Sequence, residues 1–156
     1  YSLQRGNHDT SDTYEKYLGV DATYCGYSSQ YKEYFQNSTN TVHEFSAGNL
    51  VYLLLTLDFG PSDEVLEWAN GVVADHPYHN VIISTHGYLD ENGNLIRKSS
   101  SSSNTGLGGY NNGTDIWDKL VSKHENIVMV VCGHTAVDDV VASLPPLTAL
   151  ALLCLP

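Results

Sequence analysis

Basic residues are scarce in this sequence. Seven Lys and Arg stand against 18 Asp and Glu in 156 residues, a formal net charge of −11, and they form no run. A surface that grips a nucleic-acid backbone needs clustered Lys and Arg, so nucleic acid is excluded as the main partner. An acidic chain can still bind phosphate esters where a divalent metal supplies the positive charge locally. Cysteine is sparse as well. Cys25, Cys132 and Cys154 are an odd number at wide spacing with no C-x-x-C, which points to neither a zinc ribbon nor a disulfide framework. Cys132 closes an apolar run and reads as a small core residue. No apolar stretch reaches the length of a bilayer. Leu144 to Pro156 is too short and is interrupted by Pro145 and Pro146, so no membrane span is expected.

What is present is enough for a core. The chain is 42% hydrophobic and 16% charged, outside the disordered range. It begins with Tyr1 rather than Met and carries an informative tetrapeptide within ten residues, so upstream sequence is expected to be missing. Ser11 to Leu18 predicts a helix with Tyr14, Tyr17 and Leu18 on one face and Gly19 as its stop. Residues 20 to 40 are rich in Tyr, Ser, Gly and Asn and read as a surface loop with aromatic anchors. Thr41 to Ser46 and Leu50 to Leu57, joined by Ala47-Gly48-Asn49, predict a hairpin whose second strand is apolar on both faces. Pro61-Ser62 opens a helix with Val65, Leu66, Trp68, Ala69 and Val72 near a 3.6 period. His79 to Thr85 is a strand, followed by His86-Gly87. Residues 89 to 113 form a long polar loop with a serine run at Ser99 to Ser103. A helix is expected over Thr114 to His124, with Ile116, Trp117, Leu120 and Val121 inward. Asn126 to Cys132 is a third apolar strand, followed by Gly133-His134. Asp138 to Ser143 allows one more strand.

Strands alternating with helices predict an α/β domain. In such sheets, ligand sites gather at the carboxyl ends of strands. His86 and His134 each stand just after an apolar strand, and His8 stands in a turn after another expected strand. Imidazole nitrogens with amide or carboxylate oxygens suit Zn, Mn, Fe or Ni. Paired metal ions of this kind drive phosphoryl chemistry, with a nearby His to protonate the leaving group and a carboxylate to hold that His in the right tautomer. Asn7, His8, Asp9, His86 and His134 are therefore the candidate set.

Gly6-Asn7-His8-Asp9, Ser84-Thr85-His86-Gly87 and Cys132-Gly133-His134-Thr135 resemble, in order and spacing, the third, fourth and fifth blocks of the calcineurin-like metallophosphoesterases. The resemblance covers roughly residues 5 to 143. The segments Asp63 to Ala74, Trp117 to Leu120 and Asp138 to Val141 resemble a bacterial branch found in large exported chains, implying a secreted or cell-surface location. The resemblance implies a four-layer α/β/β/α fold, incomplete here, with residues 1 to 143 a partial domain and residues 144 to 156 an atypical tail unlike a continuing strand. It implies hydrolysis of a phosphate mono- or diester by two divalent metals. Asn7, His86 and His134 would bind the second metal, His8 would contact the phosphate and protonate the leaving oxygen, and Asp9 would orient His8.

The sequence departs from the family in two blocks and one position. The D-x-H and G-D-x-x blocks, which supply most first-metal ligands and the bridging carboxylate, would lie before Tyr1. Where the fifth block commonly ends in a second His, this chain has Ala136, with Asp138 and Asp139 as candidate substitutes. The isolated chain is thus expected to be inactive or nearly so, and an open sheet edge is expected beside Tyr1 to Leu3. The alternative is an interaction or structural module that kept the fold and lost the first metal, which Ala136 favours. His43, His76, His79 and His124 read as surface residues, with His124 placing positive charge at a helix end. Asn37-Ser38-Thr39 and Asn112-Gly113-Thr114 match the glycosylation sequon.

Overall fold

A computed structural model describes residues 2–6, 8–9, 11–19, 29–36, 38–97, 111–134, 141–143 and 151–154. The elements are α1 (Ser11–Leu18), β1 (Tyr31–Phe35), β2 (Asn40–Ala47), β3 (Leu50–Thr56), α2 (Asp63–Asp75), β4 (Asn80–Ser84), α3 (Gly113–Lys119), β5 (Ile127–Cys132), β6 (Val141–Ser143) and β7 (Ala151–Cys154). They form an α/β fold on one mixed sheet of order β1-β2-β3-β4-β5-β7-β6. β3, β4, β5 and β7 run parallel, while β2 and β6 are antiparallel to their neighbours.

The hairpin of β2 and β3 turns at Gly48, whose φ of 60° is a conformation that glycine adopts without penalty. β3 then crosses to β4 through α2, and β4 to β5 through α3. Ser62 caps α2, its Oγ accepting from Val65 N at 3.3 Å. Val65, Leu66, Ala69, Val72 and Val73 bury the helix stripe. They meet Leu53 and Leu55 of β3 and Val81 and Ile83 of β4, all fully buried, in one core cluster with Ile116, Leu120 and Val130. Cys132 is buried in that cluster, as its apolar run implies. The alternate residues Leu54, Ile82 and Met129 lie in register across the other face and are only half-buried.

Several expectations are corrected. Tyr31–Phe35, read as loop, is an edge strand, because Tyr31, Tyr34 and Phe35 favour the extended chain and Phe35 stacks on Trp68 at 5.3 Å. Ser2–Gly6 is not a strand. It lies at the end of β3, where Ser2 Oγ is 2.7 Å from Thr56 Oγ1 and Gln4 Nε2 donates to Leu57 O at 2.8 Å. The sheet edges are β1 and β6 instead. In α1 Tyr14 faces inward, its hydroxyl donating to Leu3 O at 2.8 Å, whereas Tyr17 and Leu18 are exposed. The third helix starts at Gly113, one residue before the expected Thr114, behind the cap Asn112, whose side chain accepts from Thr114 N and Asp115 N, and it gives way at Leu120 to a 3-10 turn over Val121–Lys123. The segment Leu144 to Pro156, expected not to continue the sheet, supplies β7 between β5 and β6. Cys25, Asn37, Ser99 to Ser103, Ala136, Asp138 and Asp139 lie outside the described residues.

Candidate active site

β4 and β5 are parallel neighbours, so the residues that follow them emerge side by side. Thr85 N donates to Val131 O at 3.0 Å and Gly133 N to His86 O at 3.0 Å, extending the ladder past the strand ends. His86 and His134 are thereby brought together, with ring centroids 5.0 Å apart and planes at 70°. His134 adopts φ 74°, a left-handed conformation that costs a residue with a Cβ about 1 kcal/mol and has to be held by its surroundings.

Phe59 follows β3 and packs on both imidazoles, at 5.3 Å from His86 and 5.1 Å from His134. Gly87 makes room for it, since a Cβ there would meet Phe59 Cε2 at 2.9 Å. On the other side, the Gly6 backbone approaches His86 so closely that a Cβ would stand 3.2 Å from its Cε1 and 3.3 Å from its Nε2. The turn after Gly6 is closed by Asp9, whose backbone N donates to Gly6 O at 3.2 Å and whose Oδ2 accepts from Gly6 N at 2.9 Å.

The candidate residues therefore converge from three places. His8 and Asp9 are exposed on the Gly6 turn, and His86 and His134 are half-buried at the strand ends. Electrostatics report the same proximity. Burial holds the pKa of His86 below the ordinary imidazole range, with further lowering by His134 and His8 and opposition from Asp9. Burial and then His8 lower that of His134. Both imidazoles are thus biased toward the neutral form, the form in which histidine ligates metal ions.

Two neutral imidazoles this close fit two ligands of one divalent ion. Asn7, the expected third ligand, lies outside the described residues. Among the described residues, no group of three or more His, Cys, Asp or Glu is placed to hold a metal ion. The Asp9 carboxylate is bonded to the Gly6 amide, so the described contacts give it a role in shaping the turn that carries His8.

Sequence reasoning missed Phe59 and the ion pair beside it. Arg5 Nε and Nη2 donate to Asp58 Oδ1 and Oδ2 at 2.7 and 2.6 Å. The signal was present: Asp58-Phe59-Gly60 follows the carboxyl end of β3 just as the His blocks follow β4 and β5.

The other histidines are only partly as expected. His43 is not a surface residue. It is 3% exposed on β2, edge-on to Tyr31 at 5.7 Å, and burial lowers its pKa. His124 does not favour a charge. Burial and Lys123 lower its pKa, and its Nε2 lies 2.8 Å from Asn70 Oδ1, which accepts from it. Asn112 of the second sequon is 5% exposed and committed to capping α3, which closes it to glycosylation in the folded chain.

No family model matches the chain. Over 140 residues it is 27% identical to the uncharacterized protein YvnB of Bacillus subtilis (strain 168), an alignment that takes in 86% of this chain and 10% of that protein. The chain thus spans about a tenth of the length of this curated relative.

Proposed function

We propose that the chain is the second-metal and acid half of a calcineurin-like metallophosphoesterase site, in a protein that hydrolyses phosphate mono- or diesters. The observation that carries this reading is the meeting of His86 and His134 at adjacent strand ends, with the Gly6 turn against His86. His134 holds a left-handed backbone that costs stability while its imidazole stands beside that of His86, 48 residues away in sequence, which supports a functional role for the pair.

In this reading His86 and His134, with Asn7, hold a divalent ion among Mn, Fe, Zn and Ni. When bound, the ions supply Lewis acidity that offsets phosphate charge and activates water. His8, exposed on its turn, contacts the phosphate and donates a proton to the leaving oxygen. Asp9 keeps the turn closed through Gly6 N and so fixes where His8 stands. Phe59 covers both ligand rings and excludes water from one side of them. The half-buried apolar row Leu54, Ile82 and Met129 favours a second sheet packed on that face, as the four-layer fold requires.

The test is chelator-sensitive hydrolysis of p-nitrophenyl phosphate and its bis ester by the parent protein loaded with Mn2+ or Zn2+. His8→Ala should lower kcat about 10²- to 10⁴-fold, and His86→Ala and His134→Ala should remove the chelator-sensitive part. Full activity in all three variants contradicts the assignment. Ala136 favours a second reading, a module that kept the fold without metal chemistry. Elemental analysis of the parent protein separates the two, because that module would hold less than one transition metal per chain.

A further inference from the structure

Phe59 has a second neighbour besides the imidazoles. It also lines a cleft of about 220 Å³ whose other walls include Arg5, Gln36, Asn40, Asp58 and Ser62. The cleft and the histidine pair therefore share one wall, and a molecule reacting at the histidines could extend into the cleft past Phe59. The rest of the cleft is built and held in place. Arg5 and Asp58 are joined by two bonds and are about one-fifth exposed. Asn40, 1% exposed, accepts from Asp58 N at 2.9 Å through its Oδ1, and Asp58 Oδ1 accepts from Phe59 N at 2.7 Å.

The chemistry of these walls narrows the ligand. The Arg5 charge is matched by Asp58, and Gln36 is bonded to Glu64 at 3.3 Å, so the cleft offers no net positive charge to an anion. A guanidinium carries five N–H donors, of which Asp58 takes two. The remaining Arg5 donors, the Asp58 carboxylate and the Ser62 and Gln36 side chains give the cleft both donors and acceptors, and Phe59 gives it an aromatic ring. That pattern suits neutral hydroxyl groups on a ring with one apolar face. The volume is below the 300–1,000 Å³ range of pockets for drug-sized ligands, so a single sugar ring fits better than a nucleotide or a peptide.

We infer that this cleft receives a neutral, polyhydroxylated alcohol part of the phosphate ester, with Arg5 and Phe59 setting that preference. The inference rests on the hydrolase reading for the cleft's role in substrate binding, but sugar binding itself can be measured without turnover. The folded chain is titrated with methyl α-D-glucopyranoside while the Arg5 Nε–H, Asn40 and Phe59 NMR signals are followed. Saturable shifts in the millimolar range are expected, weakened at least tenfold in Arg5→Lys and in Phe59→Leu, with circular dichroism verifying that both variants fold. In the metal-loaded parent protein, Arg5→Lys should lower kcat/KM for glucose phosphate at least tenfold more than for p-nitrophenyl phosphate. No saturable shift at the cleft, with ester hydrolysis intact, overturns the sugar subsite and leaves the hydrolase reading standing. Saturable glucoside binding without hydrolysis of any ester overturns the hydrolase reading and the cleft's substrate role, and leaves only the sugar site.

Discussion

A methyl group at Gly6 would press on the edge of the His86 ring, 3.2 Å from Cε1. The ring has little freedom to retreat, because Phe59 and His134 pack on it. Gly6→Ala is expected to move His86 by a few tenths of an ångström and weaken Mn2+ or Zn2+ binding about tenfold, as loss of ligand-orienting contacts does. Unchanged affinity in a calorimetric titration would show that this contact does not place the ring. His134 gives a second expectation at this scale. Its φ of 74° suits glycine, so His134→Gly should be more stable to urea than His134→Ala by about 1 kcal/mol, while neither variant takes up metal. Equal stability would mean that the backbone relaxes once the imidazole is gone. His86 and His134 were legible in the sequence because each follows a strongly apolar strand. Phe59 was legible only by its place after β3, and because an aromatic there is ordinarily a core residue, its contact with both rings was not.

Among the elements, α3 shows how a cap and a close approach fix one end of the site's framework. Asn112 and Asp115 form a reciprocal capping box, and a Cβ on Gly113 would run into the Tyr88 carbonyl. Gly113→Ala should therefore destabilise the fold by about 1–3 kcal/mol through overpacking against backbone, measured by chemical denaturation. A change within the error of the measurement would mean that Tyr88 and Ile96 can move apart. The sequence placed α2, β3, β4 and β5 well because their periodicity is strong and their caps and prolines are explicit. It placed the start of α3 one residue late, since Asn112-x-x-Asp115 is a subtler cap signal than Ser62 before an apolar stripe. β1 was read as loop because a short edge strand buries little and shows no apolar alternation. The turn at Gly48 was legible because the pair Gly48-Asn49 separates two extended runs.

For the whole molecule, four imidazoles share a direction of shift. Burial leads the lowering of the pKa of His43, His86, His124 and His134 below the unfolded value of about 6.5. As pH falls below that value, the unfolded chain binds protons that the folded chain resists. Stability is therefore full above about pH 6.5 and declines as pH drops through the folded values. The thermal midpoint should be level from pH 8 to 7 and fall between pH 6.5 and 5, a window above the range in which Glu44, lowered chiefly by Lys32, takes up its proton. His43→Leu should flatten that fall, since it removes the deepest of the four. A slope unaltered by the substitution would place the effect elsewhere. The α/β class and the convergence of strand-end residues were legible at this scale because they follow from topology. The seventh strand was not, because Pro145 and Pro146 disguise the apolar run that ends in β7.

The joint behaviour of His86 and His134 as metal ligands decides between a phosphoesterase half-site and a bare fold. Titration of the chain with Zn2+, followed by the imidazole 15N resonances, should give a single saturable site that shifts His86 and His134 together and is lost in His86→Ala and in His134→Ala. Zn2+ binding that leaves both rings unshifted, or that survives both substitutions, would contradict the assignment of this pair to a metal.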